Sequence, residues 1–203
     1  MIRHLRERLL APRAPTGYRP GATLGLLSRN LGQVQMHLLE PARAVLDNPA
    51  QGWRAEVREC VEAHLLMHVV TCEFHLCLPA LQGGEVRLEL RHAGAIRRTG
   101  LACVYRSGDK ARFIQARDLL LSNAQLTAAL MPLDFKRLAL ECRDGHWWLT
   151  LEHMGGSEVV NRMPAFRRYI QISPPQRAHL MTSAARRCCT TRGPTRWCCP
   201  IPA

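Results

Sequence analysis

The sequence contains no apolar run long enough to form a membrane-spanning helix, which needs about 20 consecutive apolar residues. Its first residues, MIRHLRERLLAPRAP, carry charges every few positions. They therefore lack the apolar core that a secretory signal peptide requires. From these two absences we expect a cytoplasmic protein without a membrane partner.

Lysine is almost absent, since only Lys110 and Lys136 are lysines among 28 basic residues. A GC-rich genome explains this excess of arginine, and a preference for bidentate contacts with phosphate groups is the alternative. The net charge of +12 is spread over three parts of the chain, because residues 1–20, 21–185 and 186–203 each contribute +4. Most of the charge therefore lies at the two ends, which does not favour a nucleic-acid-binding surface on the central part.

The cysteines near the end of the chain lack the spacing of a zinc site. Four of the nine cysteines stand as two adjacent pairs in RRCCTTRGPTRWCCPIPA, residues 186–203. Structural zinc sites use pairs separated by two to four residues, because the spacer turns both sulfurs inward. We therefore predict no metal there and interpret residues 186–203 as a disordered tail with the composition of a non-native end.

Enzyme motifs are also missing. His64 and His68 lie four residues apart with Cys72 four further on, but Leu65 occupies the position where metalloproteases have their glutamate. His153, Ser157 and Glu158 contain the elements of a hydrolytic triad, yet Gly-x-Ser-x-Gly is absent. We therefore predict no catalytic residue, no metal and no other cofactor, and keep an enzyme only as an alternative.

The periodicity of apolar residues indicates an α+β fold. Helices are predicted over residues 22–32, over 109–131 with a break near Ser122, and from Ser173, whose hydroxyl and Gln176 form a capping box. Strands are predicted over residues 33–40, 70–78, 86–91 and 101–105. A hairpin follows over residues 135–142 and 147–151, joined by Asp144-Gly145.

Residues 53–65 have apolar positions three or four apart, which indicates a short helix, with a strand throughout as the alternative. The order of the elements predicts one antiparallel sheet, a meander plus a hairpin, with helices packed on one face. We expect this domain to cover residues 22–185, after a basic, flexible segment over residues 1–21. Its aromatic core is expected to contain Trp53, Phe74, Phe135 and Trp147.

The segment EHMGGSEVVNRMPAFRRYIQIS, residues 152–173, is the most unusual part of the chain. Paired glycines allow positive φ and close approach, the following hydroxyl and amides can bind an anion, and arginines can neutralise it. A hairpin exit loop with solvated arginines is favoured over an anion site, because charged loops are usually surface. The candidate ligand-binding residues are Gly155, Gly156, Ser157, Arg162, Arg167 and Arg168.

Several stretches resemble a family of uncharacterised proteobacterial proteins of unknown function. They are GYRPGATLGLLSRNLG, HVVTCEFHLCLPA and PLDFKRLALECRDGHWWLTLEHMGGSEVVNRMPAFRRYIQIS. The resemblance covers about residues 17–185 and implies no activity.

We therefore expect a small binding or regulatory module for an anionic ligand or a protein partner. Nucleic-acid binding is the first alternative, because Trp147, Trp148 and nearby arginines could stack on bases.

Overall fold

The computed structural model describes residues 15–32, 34–49, 53–80, 84–94 and 97–180. Within these ranges the helices are α1 (Ala22–Leu31), α2 (Lys110–Ser122), α3 (Ala124–Leu130) and α4, which covers residues 174–180. The strands are β1 (Gln35–Glu40), β2 (Arg43–Asn48), β3 (Trp53–Ala63), β4 (Met67–Pro79), β5 (Val86–Ala93), β6 (Gly100–Gly108), β7 (Phe135–Arg143), β8 (His146–Arg162) and β9 (Ala165–Ile170). The predicted tail and most of the predicted N-terminal segment lie outside the described residues.

The strands form one antiparallel sheet in the order β1-β2-β3-β4-β8-β7-β5-β6, with β9 beside β8. Strand β8 is 17 residues long, so it has room for two successive neighbours on one side. Its first half pairs with β7 and its second half pairs with β9, while β4 follows its other side. Strand β8 therefore joins the part of the sheet that contains β7 to the part that contains β9.

One face of the sheet packs against the helices in a single apolar core. Leu24, Leu27 and Leu31 of α1 and Leu130 of α3 belong to the same buried cluster as the inward-facing residues of the strands. Trp53, Phe74 and Phe135 are buried in it, and Trp147 packs partly buried against it. The predicted α+β class, with helices on one face of an antiparallel sheet, is thus confirmed. Among the described residues, no helix combines the length and the apolar character needed to cross a bilayer.

Residues 53–63 are strand β3 rather than a short helix. Trp53, Ala55 and Val57 alternate with more exposed residues, as in a strand with one covered face. The next inward position holds Glu59, and this buried carboxylate interrupts the apolar alternation. The period of two was therefore hard to recognise in the sequence.

The expectation of a hairpin exit loop after the β7–β8 hairpin was wrong, because residues 152–162 and 165–170 are strand. Strand β8 continues through Gly155 and Gly156, and the chain turns at Met163-Pro164, whose peptide bond is cis, into β9. The turns predicted elsewhere agree better with the structure. Asp144 and Gly145 have φ of 50° and 70° in the hairpin between β7 and β8, and Gln176 and Ser173 form the expected capping box at α4.

Candidate functional site

The glycine pair of the predicted anion site lies inside the molecule, where α1 packs on β8. A Cβ on Gly155 would lie 2.9 Å from Cε1 of His153, and one on Gly156 would lie 3.0 Å from Cδ1 of Leu27. Gly156 also has a φ of 87°, which L side chains rarely adopt. The hydroxyl of the buried Ser157 donates to the carbonyl of His153 at 3.3 Å. These contacts place the glycines and the serine in close packing.

The three arginines of the same prediction lie on the surface. Arg167 donates to the carbonyl of Gly17 and lies 3.6 Å from Oε1 of Glu158. The side chains of Arg162 and Arg168 make no hydrogen bond or ion pair within the described part of the chain. The structure therefore separates the six residues into a buried group and an exposed group, and an anion site on this segment stays a prediction.

His64 and His68, the two histidines spaced four residues apart, lie in different surroundings. His64 is exposed in the turn between β3 and β4, whereas His68 is completely buried in β4. Neither ring nitrogen of His68 has a hydrogen-bond partner among the residues that the structure describes, and burial, together with Arg162 and Arg167, lowers its pKa. His68 is therefore neutral near pH 7 and adds no positive charge to this end of the sheet. Within the described ranges, no group of three or more His, Cys, Asp or Glu side chains is arranged to hold a metal ion.

The start of α1, a natural place for an anion, is already occupied by a carboxylate of the protein. Glu59 accepts hydrogen bonds from the amides of Leu24 at 2.9 Å and Gly21 at 3.0 Å, and from the hydroxyl of Tyr18 at 2.7 Å. The helix dipole favours negative charge at this position. Burial and the bond to Glu59 both raise the pKa of Tyr18, so its hydroxyl keeps its proton. An external anion is therefore not needed to accept hydrogen bonds from these two amides.

The face of the sheet opposite the helices carries a connected polar network. Glu73 of β4 and Glu152 of β8 are directly opposite each other, and both are nearly buried. Thr71 donates to Oε1 of Glu152 at 2.9 Å, and Nζ of Lys136 lies 3.3 Å from the same oxygen. Lys136 also pairs with Glu62 of β3. One lysine therefore compensates two carboxylates.

The carboxylate of Glu73 contacts one imidazole and one guanidinium. Nε2 of His75 lies 2.7 Å from its Oε1, and Nη2 of Arg58 lies 2.7 Å from the same oxygen. These bonds, with that of His75 the largest influence, lower the pKa of Glu73 to about 2 against the opposing effect of burial. The neighbouring thiol of Cys60, 3.9 Å from Oε2 of Glu73, has its pKa raised by burial and by this carboxylate. Cys60 is therefore a neutral thiol rather than a nucleophile.

A cleft opens where β5 and β7 stop pairing. Their hydrogen-bonded register runs only from Val86 opposite Cys142 to Leu90 opposite Leu138, and beyond it the strands separate. The space has a volume of about 590 Å³, within the range of small-molecule sites. We call it the β5–β7 cleft, and its charged lining consists of Glu62, Glu89, Glu152, Arg91, Lys136 and Arg137.

Arg137 differs from the other cations of this lining in that it forms no ion pair with the residues that the structure describes. Glu89 receives both Arg91 at 3.0 Å and Arg106 at 2.5 Å, and the other two carboxylates share Lys136. Arg137 is half-buried, lies opposite Glu152 in the β7–β8 register, and makes no hydrogen bond or ion pair with the residues that the structure describes.

One wall of the cleft is aromatic. The ring of His92 stacks on that of Phe135 with their centroids 4.2 Å apart, and both rings line the cleft. Burial and nearby Arg98 lower the pKa of His92, so the ring is neutral near pH 7. The cleft therefore combines a flat, uncharged surface with a single unpaired guanidinium.

Sequence reasoning missed this cleft. The signal for part of its charged lining is the row of polar residues at every second position of β3 and β5, which marks one polar face. The cleft itself depends on where β5 and β7 stop pairing, and a single sequence does not show that.

Replacing Glu73 by Gln should lower the free energy of unfolding at pH 7 by about 2 kcal/mol. A carboxylate whose pKa is lowered on folding stabilises the protein above its unfolded-state pKa, which is 4.5. That contribution is lost as the pH falls from about 4.5 to about 2. Urea unfolding at pH 7, 5, 4 and 3 should show the wild type and Glu73→Gln converging only below pH 4.5. Glu56→Gln, which removes a more exposed carboxylate paired with Arg43, should give a smaller and flatter difference.

The comparisons with known proteins add a family but no activity. No curated protein and no solved structure matches the chain. The model of a family described as "Protein of unknown function (DUF3156)" matches residues 29–187, and this range includes every strand of the described sheet, from Gln35 to Ile170. The predicted membership of an uncharacterised family is therefore confirmed: the chain belongs to the DUF3156 family of proteins of unknown function.

Proposed function

We propose that the protein is a binding module that holds a small anionic molecule in the β5–β7 cleft. The observation that carries this proposal is Arg137, a half-buried guanidinium without a partner among the described residues, in a cleft of about 590 Å³. A half-buried charge is stabilised by a counter-ion, and a guanidinium binds a carboxylate or phosphate group through two parallel hydrogen bonds. The ligand would supply the missing negative charge.

The other charges of the cleft restrict the ligand further. Glu62, Glu89 and Glu152 already have cationic partners, so a second cation on the ligand is not required. The stacked rings of His92 and Phe135 offer a surface for a flat or apolar group. We therefore propose a small molecule with one anionic group and an apolar or planar body.

Binding is favoured over catalysis by the state of the acidic groups. Each carboxylate that lines the cleft is held in an ion pair, whereas a general acid or base needs a group that exchanges its proton near neutral pH. The Cys60 thiol on the same face is not activated. These observations support a binding module for an anionic ligand.

Isothermal titration with benzoate and with phenyl phosphate tests the proposal, with benzyl alcohol as the uncharged control. We expect binding in the millimolar range or tighter for at least one of the two anions, and a loss of about 10-fold or more in Arg137→Gln. Arg143→Gln, on the same strand but outside the cleft lining, should bind as the wild type does. Equal affinity of the wild type and Arg137→Gln, or equal affinity for benzyl alcohol, would refute the site.

A further inference from the structure

Two hairpin turns lie side by side at the end of the sheet away from the β7–β8 turn. Strands β4 and β8 are neighbours, so the turn before β4 and the turn after β8 meet. The amide of Arg162 donates to the carbonyl of Leu66 at 2.8 Å and joins the two turns. Residues 63–67 and 162–168 therefore form one continuous end of the molecule.

This end exposes four large apolar side chains. The exposed fractions are 90% for Leu65, 54% for Leu66, 75% for Met163 and 47% for Phe166. We call these four residues the hairpin-tip patch. Single exposed apolar residues are common on protein surfaces, but here four such residues come from two turns that are hydrogen-bonded to each other. Such a cluster marks an interaction site.

The formal charges within the two turns of the hairpin-tip patch all have one sign. Residues 63–67 and 162–168 contain no Asp or Glu, and they include Arg162, Arg167 and Arg168. The closest acids along the chain, Glu62 and Glu158, are paired with Lys136 and Arg167. Two of the three arginines, Arg162 and Arg168, have no ion-pair partner in the described ranges. The partner of this surface should therefore be anionic.

We propose that the hairpin-tip patch docks on the surface of an anionic lipid bilayer. Its apolar side chains would enter the boundary between headgroups and acyl chains, and Arg162 and Arg168 would reach lipid phosphates. Arg162 immediately precedes Met163, and Arg168 lies two residues after Phe166. A long arginine side chain extends from an apolar layer to the charged surface. Each cation near such a surface adds attraction. The proposal is independent of the β5–β7 cleft.

The shape of the surface favours a bilayer over a folded protein partner. The most exposed residues, Leu65 and Met163, project from the tips of turns, so a protein partner would need a matching hollow. A fluid bilayer accommodates projecting side chains and needs no matching hollow. Binding to it is strengthened by buried apolar side chains and by nearby cations that attract anionic lipids. This surface was not predicted from the sequence, because two separate turns do not form a continuous apolar run.

Flotation of the full chain with vesicles tests the proposal. The wild type should float with vesicles of phosphatidylcholine and phosphatidylglycerol in equal parts, and at least 5-fold less with phosphatidylcholine alone. The double variant Leu65→Ser, Phe166→Ser should lose at least 10-fold in partitioning to the anionic vesicles. The matched control is Leu119→Ser, Ile114→Ser on α2, which changes two side chains with exposed fractions of 74% and 47%. This control should float like the wild type.

Charge variants separate the tip from the basic ends of the chain. Arg162→Gln, Arg168→Gln should weaken flotation with anionic vesicles, while Arg54→Gln, Arg87→Gln, on other strands, should not. If the tip variants float as well as the wild type, the attraction comes from other basic segments and the proposal fails. If the wild type floats with neither vesicle, the proposal also fails, and the patch is then assigned to a protein partner. Circular dichroism should show unchanged folding, since the replaced side chains are exposed.

Discussion

Glu59→Ala is expected to lower the free energy of unfolding by about 3–4 kcal/mol. The carboxylate of Glu59 lies on the helix side of β3 and accepts three hydrogen bonds, from Tyr18, Gly21 and Leu24. Removing it leaves two amides at the start of α1 without their acceptor, and the amide of Leu24 is buried. It also removes a negative charge from the positive end of the helix dipole. The attachment of α1 to the sheet should weaken first.

Urea unfolding followed by circular dichroism measures this effect. Glu56→Ala is the matched control, because Glu56 lies on the same strand but on the opposite face, in a more exposed ion pair with Arg43; it should cost less than about 1 kcal/mol. Tyr18→Phe removes one of the three bonds and should cost about 1 kcal/mol. A Glu59→Ala loss no larger than that of Glu56→Ala would show that α1 does not depend on this carboxylate.

Most of the sheet could be predicted because its strands alternate apolar and polar residues. The hairpin between β7 and β8 was the clearest case, since Asp144-Gly145 supplies the positive φ that a tight turn needs. Strand β2 was missed because it is short and follows Pro41. Strand β9 was missed because its exposed arginines resemble a loop.

The candidate sites were harder to predict, because both depend on contacts between distant parts of the chain. The β5–β7 cleft exists because β5 and β7 pair over five positions and then separate, and no local pattern states where pairing stops. Arg137 is notable only because neighbouring carboxylates are satisfied by other cations. The hairpin-tip patch likewise needs the pairing of β4 with β8 to bring two turns together.

The glycines at residues 155 and 156 allow two interpretations. Paired glycines before a serine indicated a backbone that wraps an anion, and the same backbone freedom can serve packing. In the structure the space beside both glycines is filled by the protein itself, by His153, Leu27 and Ile172. The two interpretations make different predictions for alanine variants, because packing affects stability whereas an anion site affects binding.

Gly156→Ala should lower the free energy of unfolding by about 3 kcal/mol. The φ of 87° costs a residue with a Cβ about 1–2 kcal/mol, and the new Cβ would lie 3.0 Å from Cδ1 of Leu27, which must move. Gly155→Ala lacks the positive φ but brings a Cβ to 2.9 Å from the ring of His153, so it should cost about 2 kcal/mol. Both variants disturb the contact between α1 and β8.

Gly145→Ala is the control that separates these two causes. Gly145 has a φ of 70° but no atom within 4 Å of an added Cβ, so its variant reports backbone strain alone, about 1 kcal/mol. Urea unfolding should therefore rank the losses with Gly156→Ala first and Gly145→Ala last. If Gly156→Ala is no less stable than Gly145→Ala, the side chain of Leu27 moves aside without a loss of stability, and close packing does not require a glycine at residue 156. Close packing would then not explain the glycine at residue 156, and the anion site predicted on this segment would become the better explanation.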